Sequence, residues 1–263
     1  AGGTDISCAA LGCGVVEAGQ AFYSMGTGAN IGVMIPTSQR INEFRILKWT
    51  SVLPGLTMFD GPMAFVGASL NWFKNNFAKD LQGDDIFIKL AKEAEQSPPG
   101  SKGIIFLPYF SGERTPIHDT HAKGTFFGLD LTHNRSDMYR SILEGIAYGT
   151  KHVFDTFKEL NYVPSKLYSV GGGTKNKIWS QTTSDIIGLN QILRKNTLGA
   201  SYGDAFLAAY ACGDLKKDDI NNWNGIDYEI EAKNDNNNIY SKGYKNFRKL
   251  YENTKKLMKE MDD

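Results

Sequence analysis

Four short stretches carry residues whose types and spacing can do chemistry. Ser24-Met25-Gly26-Thr27-Gly28 sets two glycines at a tight turn between apolar runs. Glycine lets backbone N–H groups approach a phosphate with no side chain in the way. Thr27 adds a hydroxyl that can donate to a phosphate oxygen. An ordinary hairpin turn has the same look. Gly171-Gly172-Gly173 follows a strand-like run and precedes a helical one, so a phosphate or a flat ligand could sit against bare backbone there. It is neither the G-x-G-x-x-G fingerprint nor a Walker A loop, and a flexible turn is the plainer reading. Asp5 stands where a helix begins. A carboxylate beside the free N–H groups of a helix start can take a proton from a hydroxyl, or it can simply cap the helix. Gly67-Ala68-Ser69-Leu70-Asn71-Trp72 places small residues inside a helical run, where close packing alone would explain them.

These stretches need elements to hold them. Thr4 or Asp5 can cap a helix from Ile6 to Leu11, with Gly12 or Gly14 ending it. Residues 21–25 and 30–35 are β-prone and flank the Gly26–Gly28 turn, which predicts a hairpin. Further strands and loops fill 36–60. Apolar spacing predicts helices over 62–81, 84–95, 137–157, 177–187 and 203–211, and an amphipathic helix over 240–263. Short buried strands are expected at 103–107, 166–170 and 191–193. Residues 221–238 are rich in Asn and Asp and read as a loop, with Asn234–Asn238 mobile. Strands, long helices and glycine turns at strand ends point to a mixed α/β domain with helices packed on a sheet.

Composition narrows the class. The 263 residues suffice for one large domain, and hydrophobic (41%) and charged (22%) fractions are those of a globular protein. Lys+Arg and Asp+Glu both count 29, so the basic excess of a nucleic-acid binder is missing. No apolar run approaches the roughly 18 residues that span a bilayer. Cys8, Cys13 and Cys212 make an odd set without CxxC or Cys/His metal spacing. They read as idle thiols of a cytoplasmic protein, and no metal ligands are expected. Glu113, Arg114 and His118 form a polar group that reads as a bracing loop, and Glu144 as structural. His121, His133 and His152 read as surface or hydrogen-bonded histidines.

The order of the motifs along the chain says more than any one of them. Gly-Gly-Thr-Asp (2–5), Ser-Met-Gly-Thr-Gly (24–28), Gly-Ala-Ser-Leu-Asn-Trp (67–72) and Phe-Ser-Gly-Glu-Arg-Thr-Pro (110–116) come first. Gly128-Leu129-Asp130-Leu131-Thr132-His133, Leu143-Glu144-Gly145 and Gly171–Gly173 with Asn176 and Gln181 follow. This series resembles the second, C-terminal domain of FGGY carbohydrate kinases over residues 1 to about 215. The resemblance implies an actin-like ATPase, ribonuclease-H-like fold, a mixed sheet with helices on both faces. It implies ATP as phosphoryl donor, with Mg2+ carried on the phosphates and few direct protein ligands. It places Gly26 and Thr27 by the transferred phosphate, and Gly67 and Asn71 in the nucleotide pocket. Gly171, Gly172, Gly173 and Asn176 fall on the other side of that pocket. Asp5 falls on the catalytic base.

The family's first domain opens with an Asp-x-Gly-Thr phosphate motif and carries most of the sugar contacts; this sequence has no such motif. The chain also starts without Met, so it is expected to work with an N-terminal sugar-binding domain of the same protein. Alone it should bind nucleotide weakly and phosphorylate no sugar at a useful rate. Ile6-Ser7 does not match the glycerol kinase pattern, and Gly-Glu-Arg-Thr-Pro fits the xylulokinase and gluconokinase branch, so the expected acceptor is a small xylulose-like ketose. Gluconate, ribulose or glycerol are the alternatives within the family. A non-enzymatic actin- or chaperone-like nucleotide module, or a binding domain without a nucleotide site, are alternatives outside it. The oligomeric state, a homodimer included, stays open.

Overall fold

The computed structural model describes residues 2–39 and 43–262. Residues 40–42 of the expected 36–60 stretch, and the outermost residues 1 and 263 of the expected domain and terminal helix, lie outside the described residues.

Helix α1 (Asp5–Gly12) opens the chain, and the hydroxyl of its cap Thr4 accepts from the Ser7 amide. Thr4 is therefore the cap, and Asp5 the first helical residue. Strands β1 (Gln20–Met25) and β2 (Ala29–Pro36) form the expected hairpin, followed by β3 (Leu47–Thr50) and β4 (Leu56–Asp60). Helix α2 (Gly67–Phe77) is shorter than the predicted 62–81, and α3 (Ile86–Ala94) follows it. The chain continues through β5 (Ile105–Leu107), β6 (Thr125–Phe127), the long α4 (Arg135–Glu159), β7 (Lys166–Val170), α5 (Lys177–Ile187), β8 (Gln191–Arg194) and α6 (Ala200–Cys212). A capping box between Asn134 and Asp137 starts α4, and Asn176 caps α5.

The expected loop over 221–238 is corrected. Helix α7 (Ile220–Trp223) overlaps its start, β9 (Ile226–Ile230) lies within it, and α8 (Asn237–Glu260) begins before its end. β9 is exposed along nearly its whole length; its alternation Ile226-Asp227-Tyr228-Glu229-Ile230 is a strand signal, masked by the Asn and Asp residues around it. It is held by antiparallel pairing to β8.

Seven strands form one mixed sheet in the order β3-β4-β2-β1-β7-β8-β9. Its centre, β1-β7-β8, is parallel; the strands outside it pair antiparallel. Side chains of β1 alternate between two cores. Ala21, Tyr23 and Met25 pack under α4 and α5 with Ile142, Ile146 and Trp179. Phe22, on the other face, packs with Ala10 of α1 and Cys13 just past its end, together with Met34, Met58 and Tyr168. Helices thus cover both faces, as the ribonuclease-H-like expectation requires, and strands buried on both faces read as continuous apolar runs.

Two close approaches fix the helices that matter below. A Cβ at Gly203 of α6 would collide with the Cys8 carbonyl oxygen of α1, so these helices cross backbone to backbone. A Cβ at Gly145 of α4 would collide with the Phe106 carbonyl oxygen of β5. α8 buries Tyr240, Phe247, Tyr251 and Met258 against the β5 side of the molecule. That is one apolar stripe of an otherwise polar helix, worth about 1.5–3 kcal/mol per fully buried large side chain.

Candidate active site

The tip of the β1–β2 hairpin is a three-residue turn, Gly26–Gly28, in which the Gly26 amide donates to the Gly28 carbonyl at 3.0 Å. α2 starts directly on this tip. Its cap Val66 offers no side-chain acceptor, and two of its first free amides are satisfied by the hairpin instead. Gly67 N–H donates to Gly26 O at 3.0 Å and Ala68 N–H to Thr27 O at 2.9 Å. A Cβ at Gly67 would lie 2.5 Å from Gly26 O. The carbonyls of the turn are thereby spent on the helix. The amides of Thr27 and Gly28 and the Thr27 hydroxyl make no hydrogen bond among the described residues.

The hairpin tip is one wall of a cleft of about 770 Å³. The opposite wall is the Gly172–Trp179 segment, and α2 and α3 form the floor and side. The three glycines after β7 divide their work. Gly171 has φ +100°, and a Cβ there would meet Met25 O at 2.7 Å. A Cβ at Gly173 would collide with the Trp179 ring and meet Met25 Cβ at 2.7 Å. Gly171 is glycine because the chain leaving β7 passes the Met25 backbone of β1, and Gly173 because Trp179 of α5 and Met25 close over it. At Gly172 a Cβ would meet nothing within 4 Å. It is the glycine that faces open space in the cleft, at the start of a one-turn helix with no side-chain cap. Its bare N–H is of the kind that binds anions.

Seven of the residues singled out in the sequence line this one cleft: Gly26, Thr27, Gly67, Asn71, Gly172, Gly173 and Asn176. Asn71 is exposed, and its amide has no partner among the described residues. Asn176 spends its Oδ1 on the Trp179 amide at 3.1 Å. Gly171 and Asp5 do not line the cleft. Asp5 is exposed on the first turn of α1, over the other face of the sheet, and its Oδ1 accepts from the Ile6 amide at 2.8 Å. No described group of three or more His, Cys, Asp or Glu could hold a metal ion.

The apolar wall was not legible as a wall. Phe87, Ile88 and Ala91 of α3 line the cleft, and Ile88 is 59% exposed. The available signal was an apolar residue on the outward side of an amphipathic helix. Lys92, Lys175 and Lys177 add cations at the cleft.

Glu113 braces the hairpin from behind. Its Oε1 accepts from the Ala64 amide at 2.8 Å and the Arg114 amide at 2.7 Å. Ala64 in turn abuts Gly28, where a Cβ would lie 3.3 Å from Ala64 O. Burial pushes the Glu113 carboxyl up to about 7. The bracing role expected for this loop is thus met by Glu113. His152 departs from expectation. It is buried in α4 and its Nδ1 has no partner among the described residues.

A second carboxyl was missed. Asp60 ends β4 and is fully buried. The signal was an acidic residue closing the apolar run Leu56-Thr57-Met58-Phe59. Burial, with a smaller push from the charge of Asp5, raises its carboxyl to about 7, against the hydrogen bond from Trp49.

Comparison with known proteins gives these features a context. Residues 21–212 match the model of the FGGY family of carbohydrate kinases, C-terminal domain. A xylulose kinase of Staphylococcus epidermidis is 30% identical over 262 residues, covering 98% of this chain and 51% of the relative. A gluconokinase of Bacillus subtilis is 28% identical over 221 residues, 81% of this chain and 43% of the relative. The crystal structure of a xylulose kinase from Rhodospirillum rubrum superposes with a TM-score of 0.87 at 28% identity, over 96% of this chain and 50% of that one. The chain spans about half the length of these relatives.

Proposed function

The chain belongs to the FGGY family of carbohydrate kinases, and on that premise we propose that it is the nucleotide-binding half of an ATP-dependent sugar kinase, with Asp5 as the base. The observation that carries the reading is the cleft. Thr27, with a backbone amide unpaired among the described residues, and Gly172, with no side chain in the way, line one space of about 770 Å³. That space is of the size of a small-molecule site. The glycine cradle fits the phosphates of ATP, since it offers donors where any side chain would intrude. Phe87, Ile88 and Ala91 would take the base. Bound ATP supplies the transferable γ-phosphoryl group.

Phosphoryl transfer has a loose transition state, so alignment and charge neutralisation carry most of the catalysis. Asp5 takes the proton of the attacking sugar hydroxyl as that oxygen bonds to phosphorus and the bond to the ADP oxygen breaks. Thr27 and the hairpin amides steady the transferred group. Mg2+ would ride on the phosphates, keeping several waters, and needs no cage of protein carboxylates. Sugar contacts come largely from an N-terminal domain of the kind that makes up the other half of the relatives. A xylulose-like ketose is the favoured acceptor, supported by relatives that carry the name xylulose kinase and by Glu113-Arg114-Thr115-Pro116. The gluconokinase relative keeps gluconate as the second reading.

The test is sugar-dependent ADP formation across xylulose, ribulose, gluconate and glycerol, by the two-domain kinase and by the 263 residues alone. Xylulose should give the highest kcat/KM in the two-domain protein, and the isolated chain should bind Mg·ATP weakly with negligible turnover. Robust sugar-dependent turnover by the isolated chain, or no turnover by the two-domain protein on any of the four, contradicts the proposal.

A further inference from the structure

Asp60 is the least explained carboxyl in the molecule. It is 0% exposed, at the end of β4, opposite Gly32 of β2 and Leu47 of β3. Its Oδ2 accepts from the Trp49 indole N–H at 3.1 Å, and its Oδ1 has no partner among the described residues. An ionised carboxylate sealed in this way, with one hydrogen bond and no cation among the described residues, would be left uncompensated. The geometry alone therefore favours a protonated acid.

What rests on Asp60 is the base. Trp49 packs in the same apolar cluster as Ile6, Ala9 and Ala10 of α1, the helix whose first residue is Asp5. The neighbouring Thr50 carbonyl accepts from the Ser7 hydroxyl at 3.1 Å. The end of β3 thus holds the first turn of α1 through the Thr50 carbonyl and shares an apolar cluster with it through Trp49, whose indole Asp60 orients. Gly32 brings no ionisable side chain from β2. Lys48 of β3 is exposed, with its ammonium on the Gln39 carbonyl at 3.4 Å. From α1 comes Asp5, the one charge among the described residues that acts on Asp60.

We infer that Asp60 is a positioning residue for Asp5: through Trp49 it sets the first turn of α1, and by keeping its own proton it leaves Asp5 as the single negative charge where a sugar hydroxyl meets a phosphoryl group. This rests on Asp5 being the base. A second negative charge there would oppose the approach of a polyanion, so turnover should fall as Asp60 ionises. Burial pushes the carboxyl up to about 7, so that fall begins near neutrality.

Two measurements decide it. In the two-domain kinase, Asp60→Leu should lower kcat by about tenfold to a hundredfold, the scale of a misplaced catalytic group, with KM for ATP unmoved. Asp60→Asn, which keeps an acceptor for Trp49, should recover most of that loss and abolish the decline of kcat above neutral pH seen in the wild type. If both variants leave the pH profile unchanged, or move KM for ATP as much as kcat, the inference is overturned. The second measurement needs no turnover. Carboxyl carbon NMR of the 263-residue chain should show Asp60 titrating near neutrality, with the midpoint falling in Asp5→Asn. An Asp60 already ionised at pH 5, or a midpoint blind to Asp5→Asn, overturns the inference even if the kinase reading stands. An absence of sugar kinase activity overturns the kinase reading while this titration still reports on Asp60.

Discussion

Gly67 donates its amide to the carbonyl of Gly26 at 3.0 Å, and a Cβ on Gly67 would stand 2.5 Å from that oxygen. The contact joins the start of α2 to the turn between β1 and β2, and nothing but backbone is available to yield. Gly67→Ala should therefore push the helix off the turn and spread the amides that face the cleft. The affinity for Mg·ATP should drop by about tenfold or more, as loss of one or two charge-assisted hydrogen bonds implies. Titration calorimetry on the variant checks this; an unchanged Kd contradicts it.

Arg140 and Glu144 form a buried pair on α4, with Nε to Oε1 at 2.9 Å. Glu144 also accepts from the Gly100 amide and the Ser101 hydroxyl, both at 2.8 Å. Arg140 reaches the Ser97 carbonyl at 2.9 Å and the Tyr240 hydroxyl at 3.1 Å, which ties α8 to the core. Removing the cation leaves Glu144 buried without its counter-charge. Arg140→Met should cost about 3–5 kcal/mol of unfolding free energy, read by urea denaturation, with the Mg·ATP Kd of the folded fraction unchanged. A loss below about 1 kcal/mol, the scale of an exposed pair, contradicts it.

His152 sets a pH dependence of stability. Burial, helped by the charges of Arg248 and Arg45, pushes its protonation down to about 3, whereas an unfolded histidine titrates near 6.5. Between those values the unfolded chain binds the extra proton, so stability is whole above pH 6.5 and is lost as pH falls toward 3. His152→Leu should remove this loss. Relative to wild type, its unfolding free energy should rise by about 2 kcal/mol between pH 7 and pH 5, from 1.36 kcal/mol per unit. Parallel pH profiles for the two proteins contradict the assignment.

The glycines were the most legible part of the site because their reasons are local. Gly26 and Gly67 sit where a turn or a close approach excludes a side chain, Gly172 leaves its backbone bare to the cleft, and their order along the chain carries the family pattern. Gly145 and Gly203 were visible only as small residues in helices, since the backbone each one touches comes from a distant element. Gly171 read as a ligand contact but stands off the cleft, against the Met25 carbonyl of β1, while Gly173 lines the cleft and also leaves room for the Trp179 ring. The α3 wall of the cleft was legible as a helix but not as a wall, because tertiary packing decides which side of a helix stays open. β9 did carry a two-residue period, Ile226-Asp227-Tyr228-Glu229-Ile230, but the Asn- and Asp-rich residues on either side made the stretch read as a loop. Asp60 could be seen as an oddity in an apolar strand, but its tie to α1 runs through Trp49 and exists only in the folded sheet.

The central claim is that Asp5 is the catalytic base of a sugar kinase whose nucleotide site is the Thr27–Gly172 cleft. Asp5→Asn in the two-domain protein tests it most directly, because Asp5 lies off that cleft. Sugar-dependent kcat should fall by about a hundredfold to ten-thousandfold, the usual contribution of a positioned base, while the Kd for Mg·ATP stays within about twofold, since no interaction with the nucleotide is removed. A variant that turns over sugar within about tenfold of wild type, below the range expected for a lost base, would contradict the account.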